Sequence, residues 1–173
     1  RPEIERAFRT DLDAFFLAAR IIEVLSPASR RLRPLDVISH FESVVLGELD
    51  LRLESSAASE FAANTAQDEG FTLPVIKWPH SSRRVMTMSW AEGVPMGDNA
   101  AIDAAGHNRQ ALSTRVLQLF LNHALRDGYF HADMHQGNMK VAPNGDIIAY
   151  DFGIMGHIDE YTRRVYAEIL FGF

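Results

Sequence analysis

The stretch from Tyr129 to Gly156, YFHADMHQGNMKVAPNGDIIAYDFGIMG, holds three side chains whose types and spacing suit one kind of chemistry. Asp133 is followed by Asn138, and Asp151 is followed directly by Phe152 and Gly153. A carboxylate at Asp133 can position a phosphoryl acceptor or take its proton. The amide oxygen of Asn138 and the carboxylate of Asp151 are hard oxygen donors of the kind Mg²⁺ takes. His131 reads as a brace for this loop. His135 reads as an ordinary polar residue that can reach a phosphate or an acceptor. A zinc site built from His131, Asp133 and His135 is the competing reading. It leaves the Asp-Phe-Gly run without a role.

These side chains need elements to hold them. Met139 to Val141 and Ile147 to Tyr150 read as two short strands joined by the turn Pro143-Asn144-Gly145-Asp146. Such a hairpin carries Asn138 and Asp151 at its two ends, so that both reach one ion. Upstream, Leu112, Val116, Leu119, Phe120 and Ala124 form the buried stripe of a helix over 108–126, stopped by Asp127-Gly128. Downstream, Asp159 and Glu160 open a final helix.

Toward the amino terminus, Ile4, Phe8, Leu12, Phe15, Ala19 and Ile22 recur at helical spacing over 3–25, and Ser26-Pro27 ends that helix. A basic connector leads to a second pattern starting near Leu35 and expected to run unbroken to about Thr65, with Gly47 as a bend or a point of close approach. On it, Asp50 and Glu54 share a face and Glu48 points nearly opposite to Asp50. Glu48 can bridge to Arg52, and the Asp50/Glu54 pair is eased by a cation against one of them. TLPVIKW and VMTMSW read as two neighbouring strands. The Gly/Pro-rich break AEGVPMGD follows, and the backbone of Ala91, Glu92 and Gly93 is placed to face an adenine if this break is a hinge. Met86, Met88 and Trp90 read as core or pocket wall.

Composition narrows the partners. A chain of 173 residues with 47% hydrophobic residues can bury a substantial core, and it is acidic, with a formal charge of -6. It has no basic stripe to follow a phosphate backbone, so nucleic acid is not an expected partner. The absence of cysteine excludes disulfides and thiolate chemistry within the chain. Its most apolar run, AFFLAARIIEVL, is interrupted by Arg20 and Glu23 and does not read as a membrane span. RPEIERAF opens without methionine and AEILFGF closes in mid-pattern, which is the expectation for a piece of a longer protein. If the Asp133–Asn138–Asp151 set belongs to a nucleotide-binding, kinase-like fold, a phosphate-binding lysine and a glycine-rich loop are expected before the helix of Glu54, and neither of the two lysines, Lys77 and Lys140, lies there. This stretch by itself is therefore expected to turn over ATP poorly.

Taken in order, ELDLRLE, VMTMSWAEGVPM, FHADMHQGN and YDFGIMG resemble the UbiB family of atypical kinase-like proteins, over essentially the whole chain. The resemblance implies an α+β, protein-kinase-like two-lobed fold, with an incomplete small lobe over 1–92 and a partial, helical large lobe over 93–173. It implies ATP and Mg²⁺ as cofactors and a role in ubiquinone biosynthesis. It also implies lipid quinone precursors or quinone-biosynthesis proteins as partners, and membrane association through segments outside this sequence. The implied location is the bacterial inner membrane or its cytoplasmic face, or the mitochondrial inner membrane. By the same resemblance Glu54 pairs with the phosphate-binding lysine. Glu48 and Asp50 match paired acids that face a restraining N-terminal extension, and Asp133, Asn138 and Asp151 match the catalytic and metal-binding positions. Met134 and Gln136 stand where the family usually has prolines, which is expected to loosen the loop. Two other readings share these motifs: a nucleotide-gated scaffold without turnover, and a small-molecule kinase of the aminoglycoside or choline type.

Overall fold

The computed structural model describes residues 3–172, in two compact units. One unit comprises residues 1–53 and 82–85, and the other residues 54–81 and 86–173. This division by compactness does not coincide with the lobe boundary expected at residues 92 and 93. No helix among the described residues is long and apolar enough to cross a membrane.

The first unit is a helical hairpin. Helix α1, Ile4–Leu25, buries Leu12 and Ala19 and packs on α2, Pro34–Glu48, where Phe15 meets Phe41 edge-on at 6.5 Å. Between them Pro27–Leu32 forms a 3-10 turn, and Arg33 takes a left-handed backbone (φ 48°) just before Pro34 starts the next helix. The single helix expected to reach Thr65 is broken. Helix α2 ends at Glu48, and α3 starts afresh as Leu51–Asn64. The cause is Asp50, whose Oδ1 accepts from the Arg52 backbone N–H at 3.2 Å and so caps the new helix. Gly47 has open space where a Cβ would stand, so it marks no close approach. The expected Glu48–Arg52 bridge is replaced by Asp50–Arg52, with Nε to Oδ1 at 2.9 Å and Nη2 to Oδ2 at 2.6 Å.

The second unit is built on a small sheet in the order β1-β5-β4-β2. Strands β4, Met139–Val141, and β5, Ile147–Ala149, form the expected antiparallel hairpin. Strand β1, Phe71–Thr72, runs parallel to β5, and β2, Val94–Pro95, runs antiparallel to β4. Strand β3, Tyr129–His131, pairs separately with β6, Met155–His157. The two neighbouring strands expected over 72–90 are not formed. Residues 73–90 pair through two isolated bridges, Ile76–Met88 and Ser82–Val85, with Lys77 N–H donating to Thr87 O and Ser89 N–H to Val75 O. Pro74 and Pro79 remove ladder donors there, and Trp78–His80 coils into a 3-10 turn.

The remaining helices are α4, Asn99–Ala104, α5, Arg109–Asn122, and α6, Glu160–Phe171. Their N-caps are Asp98, Asn108 and Asp159, each accepting a backbone N–H with its side chain. Helix α5 widens into a π turn over His123–Asp127 and stops at Gly128, whose φ is +70°. Phe61 of α3 is fully buried in the core and touches Phe71, His123, Tyr129 and Phe152 in edge-on pairs.

A charged cluster closes this core on one side. Fully buried His123 meets Asp68 through Nε2 at 2.9 Å, while Arg126 grips both Asp68 oxygens at 2.6 and 2.9 Å and also binds Asp127. The Arg126 guanidinium, and after it the His123 hydrogen bond, hold the Asp68 carboxyl below its ordinary range against the effect of burial. Burial pushes His123 below its ordinary value against the pull of Asp68.

Two outcomes follow from this packing. As pH falls, the unfolded chain takes up protons at both positions before the folded one, because both folded values are depressed. Stability is therefore expected to decline from about pH 6.5 through the histidine step, and further through the carboxylate range. Urea midpoints between pH 7.5 and 3.5 measure this, and Asp68→Asn is expected to flatten the acid limb; an unchanged limb in that variant contradicts the assignment. Separately, a Cβ at Gly93 would lie 2.4 Å from the Val141 backbone oxygen. Gly93→Ala is expected to cost about 1–3 kcal/mol in denaturant unfolding through strain between β2 and β4.

Candidate functional site

The β4–β5 hairpin sets the site. Met139 faces Ala149 in its register, and Tyr150 N–H donates to Asn138 O at 3.2 Å, so Asn138 and Asp151 leave the same end of the ladder. The Tyr150 hydroxyl also hydrogen-bonds the Gly137 carbonyl, tying the 132–138 loop to the residue before Asp151. Nothing in the spacing of the Asp-Phe-Gly run marks Tyr150 for this role.

The loop from Ala132 to Asn138 is held by short bonds. Asp133 N–H donates to His131 Nδ1 at 3.1 Å, His135 N–H to Asp133 O at 2.9 Å, and Asn138 N–H to His135 O at 2.9 Å. Gly137 N–H donates to His135 Nδ1 at 3.0 Å. His131 is buried and lies 6.2 Å from the Phe152 ring, which fits a bracing part. Burial lowers its pKa against the opposing pull of the Asp151 backbone and carboxylate, so the ring stays neutral at ordinary pH. Its Nδ1 is already engaged, and no three His, Cys, Asp or Glu side chains converge on one point among the described residues. That arrangement disfavours the three-ligand zinc reading.

Asn138 is buried, and its Nδ2 donates to the Asp133 carbonyl at 3.2 Å and to its Oδ2 at 3.4 Å. This fixes the amide orientation and leaves Oδ1 as the atom able to ligate. The Asp133 side chain is about half exposed, and His135 Nε2 stands 3.6 Å from its Oδ2. Asp151 is exposed, with Oδ1 accepting from Gly153 N–H at 3.1 Å in a tight turn. One amide oxygen and one carboxylate fit Mg²⁺, which keeps several waters and takes further ligands from substrate phosphates.

Glu54 reaches this turn from α3. Its Oε1 accepts the Phe152 N–H at 3.3 Å, across 98 residues of sequence, and Phe152 is buried beneath it. The structure therefore joins Glu54 to the Asp-Phe-Gly backbone, as well as bringing Asp133, Asn138 and Asp151 together. Glu48 and Asp50 belong to the other compact unit, where Glu48 is exposed and lines a cavity of about 410 Å³ with Ile4, Glu5 and Arg84. The Arg52 hydrogen bond pulls the Asp50 carboxyl down to about 2.

At the expected hinge, the Ala91 carbonyl accepts from Lys140 Nζ at 3.0 Å, and the ammonium sits 4.8 Å from the centre of the Trp90 ring. Glu92 is exposed, and Gly93 lies flat against the Val141 backbone. A cavity of about 930 Å³ opens on the other flank of the 132–138 loop, between that loop, α4 and α5. Met96, Leu112, Val116, Phe120 and Met134 give it an apolar wall, and His135 and Gln136 part of its rim.

Replacing Glu54 by Ala removes the acceptor for the Phe152 N–H. The net value of such a bond, about 1 kcal/mol, corresponds to roughly fivefold faster amide exchange at Phe152. Exchange at Phe152 matching the unsubstituted chain would contradict the contact.

The ABC1 atypical kinase-like domain profile matches residues 1–173. A protein of Xanthomonas axonopodis pv. citri named probable protein kinase UbiB is 34% identical over 174 residues, covering 97% of this chain and 31% of its own length. Another of that name, from Shewanella frigidimarina, is 35% identical over 177 residues, covering 100% of this chain and 32% of its own. The chain thus spans about a third of the length of these relatives. Among solved structures, the complex of Rv3197 with erythromycin from Mycobacterium tuberculosis aligns with a TM-score of 0.69 at 28% identity, covering 91% of this chain and 39% of that one. With the α+β architecture and the site geometry above, these matches show that the chain belongs to the ABC1 atypical kinase-like domain family.

Proposed function

We propose that this chain is the metal-binding part of an ATP-dependent, kinase-like site supporting ubiquinone biosynthesis. In this reading Asn138 and Asp151 hold Mg²⁺, and Asp133 orients the group that attacks the terminal phosphate. The observation that carries it is the joint anchoring of the three: Asn138 bonded to Asp133, and Asn138 and Asp151 leaving one end of one hairpin. When bound, Mg²⁺ supplies charge neutralisation on the phosphates. The chain's own residues supply position. Glu54 fixes the backbone that presents Asp151, and His131 holds the Asp133 amide. The backbone of Ala91 to Gly93 borders the adenine.

The quinone assignment rests on the family resemblance and on the relatives' name. The apolar wall of the cavity beside the catalytic loop supports a lipid-like acceptor, with water as the alternative. Membrane location, on the inner-membrane face, belongs to the same proposal. A scaffold without turnover uses the same ligands and differs only at Asp133.

The test is Mg²⁺–ATP binding and hydrolysis by the protein carrying this domain. Asp151→Asn is expected to weaken Mg²⁺-dependent binding at least on the order of tenfold, which even an outer-shell metal partner is worth. Asp133→Asn is expected to keep nucleotide affinity and lower turnover about a hundredfold or more. Binding and hydrolysis unchanged in Asp151→Asn would refute the site. Unchanged turnover and quinone production in Asp133→Asn would favour the scaffold.

A further inference from the structure

Of the three side chains on β4, Lys140 is the one the core does not use. Met139 and Val141 on either side of it are buried at 3% and 1% exposure, and strand alternation turns Lys140 to the opposite face of the sheet. Its register partners are Pro95 of β2 and Ile148 of β5. From there its Nζ reaches back across 49 residues of sequence to donate to the Ala91 carbonyl at 3.0 Å. The ammonium stands 4.8 Å from the centre of the Trp90 ring and 5.8 Å from that of Tyr150. Trp90 is 84% exposed, so it steadies the ammonium without belonging to the core.

One positive charge thus lies between the two ends of the candidate site. Ala91 opens the Gly/Pro-rich break whose backbone borders the base in the reading above, and Tyr150 directly precedes Asp151. Asn138 lies two residues before Lys140. Among the described residues Lys140 carries no ion pair, and its ammonium keeps donors beyond the one given to Ala91. The Ala91 carbonyl, in contrast, is already taken by a charge-assisted bond of the stronger class. An incoming base therefore meets donors at a point where the bare backbone offers an acceptor.

We propose, on the nucleotide reading given above, that Lys140 sets the base preference of the site and favours a 6-oxopurine nucleotide over an adenine nucleotide. A purine that turns its 6-position to the Ala91 backbone brings an exocyclic amine if it is adenine, and a carbonyl oxygen if it is hypoxanthine or guanine. The amine is a donor, and against the ammonium a donor meets a donor. Adenine gains the Ala91 carbonyl only when Lys140 leaves it, which gives up both the carbonyl bond and the Trp90 contact. The 6-oxo group accepts from the ammonium directly, with Lys140 still on Ala91. Phosphates and metal are served alike with either base. A lysine that gripped phosphate would aid every nucleotide equally, but the Ala91 bond and the Trp90 ring hold this one at the base end.

Isothermal titration of the protein carrying this domain with ATP and with ITP, each with Mg²⁺, tests the preference, because the two bases differ around the 6-position. ITP is expected to bind more tightly by a factor on the order of ten, the worth of one hydrogen bond to a charged group. Lys140→Met keeps the length of the side chain but not its charge, and is expected to bring the two affinities together. Lys140→Arg is expected to retain the ITP preference, which separates charge from packing in β4. Tighter binding of ATP than of ITP by the unsubstituted protein overturns the base preference, and decides the matter even where a variant fails to fold. So does a ratio that Lys140→Met leaves unchanged, the outcome for a lysine on phosphate. Binding of neither nucleotide overturns the nucleotide reading and the preference together. Affinities that Asp151→Asn leaves unchanged remove the metal assignment, while a ratio shifted by Lys140→Met still upholds the preference.

Discussion

One fully buried ring, Phe61, is the point through which the second unit is tied together. It sits on α3, two turns beyond Glu54, and presses on Phe71 of β1, His123 of the π turn, Tyr129 of β3 and Phe152 of the Asp-Phe-Gly run. Those contacts set the distance between the helix and the Asp-Phe-Gly turn. The hydrogen bond from the Phe152 N–H to Glu54 accompanies the packing of the Phe152 ring against Phe61. Apolar packing thus determines where a carboxylate and an amide oxygen stand, and the polar bonds refine the placement.

The stretch from Tyr129 to Gly156 was legible because its constraints are local. Turn residues at Pro143 to Asp146 force a hairpin, and a hairpin of fixed register brings Asn138 and Asp151 to one end. Caps at Asn108 and Asp159 likewise announce their helices by residue type. The helix break at Leu49 and Asp50 was not legible, because the apolar period continues across it and a lone aspartate reads equally well as surface charge. The strands expected over 72–90 failed for the opposite reason. Val, Ile, Met and Trp supply strong β propensity, but Pro74 inside the first segment and Pro79 directly after it deny a regular ladder.

Partners distant in sequence were the least visible. The Lys140 bond to Ala91 and the Asp68–His123–Arg126 cluster join residues separated by 49, 55 and 58 positions. No short-range pattern encodes such pairs. They fix residue 91 against β4 and the end of α5 against Asp68.

Asp50 has a consequence of its own. Its carboxylate caps α3 and is gripped by Arg52, and its proton affinity falls to about 2. The Arg52 guanidinium therefore keeps this carboxylate charged below the range in which an ordinary aspartate titrates. Whatever approaches it meets an invariant charge, already neutralised along one edge by a guanidinium. A cation that approaches it competes with the Arg52 guanidinium for the same two oxygens.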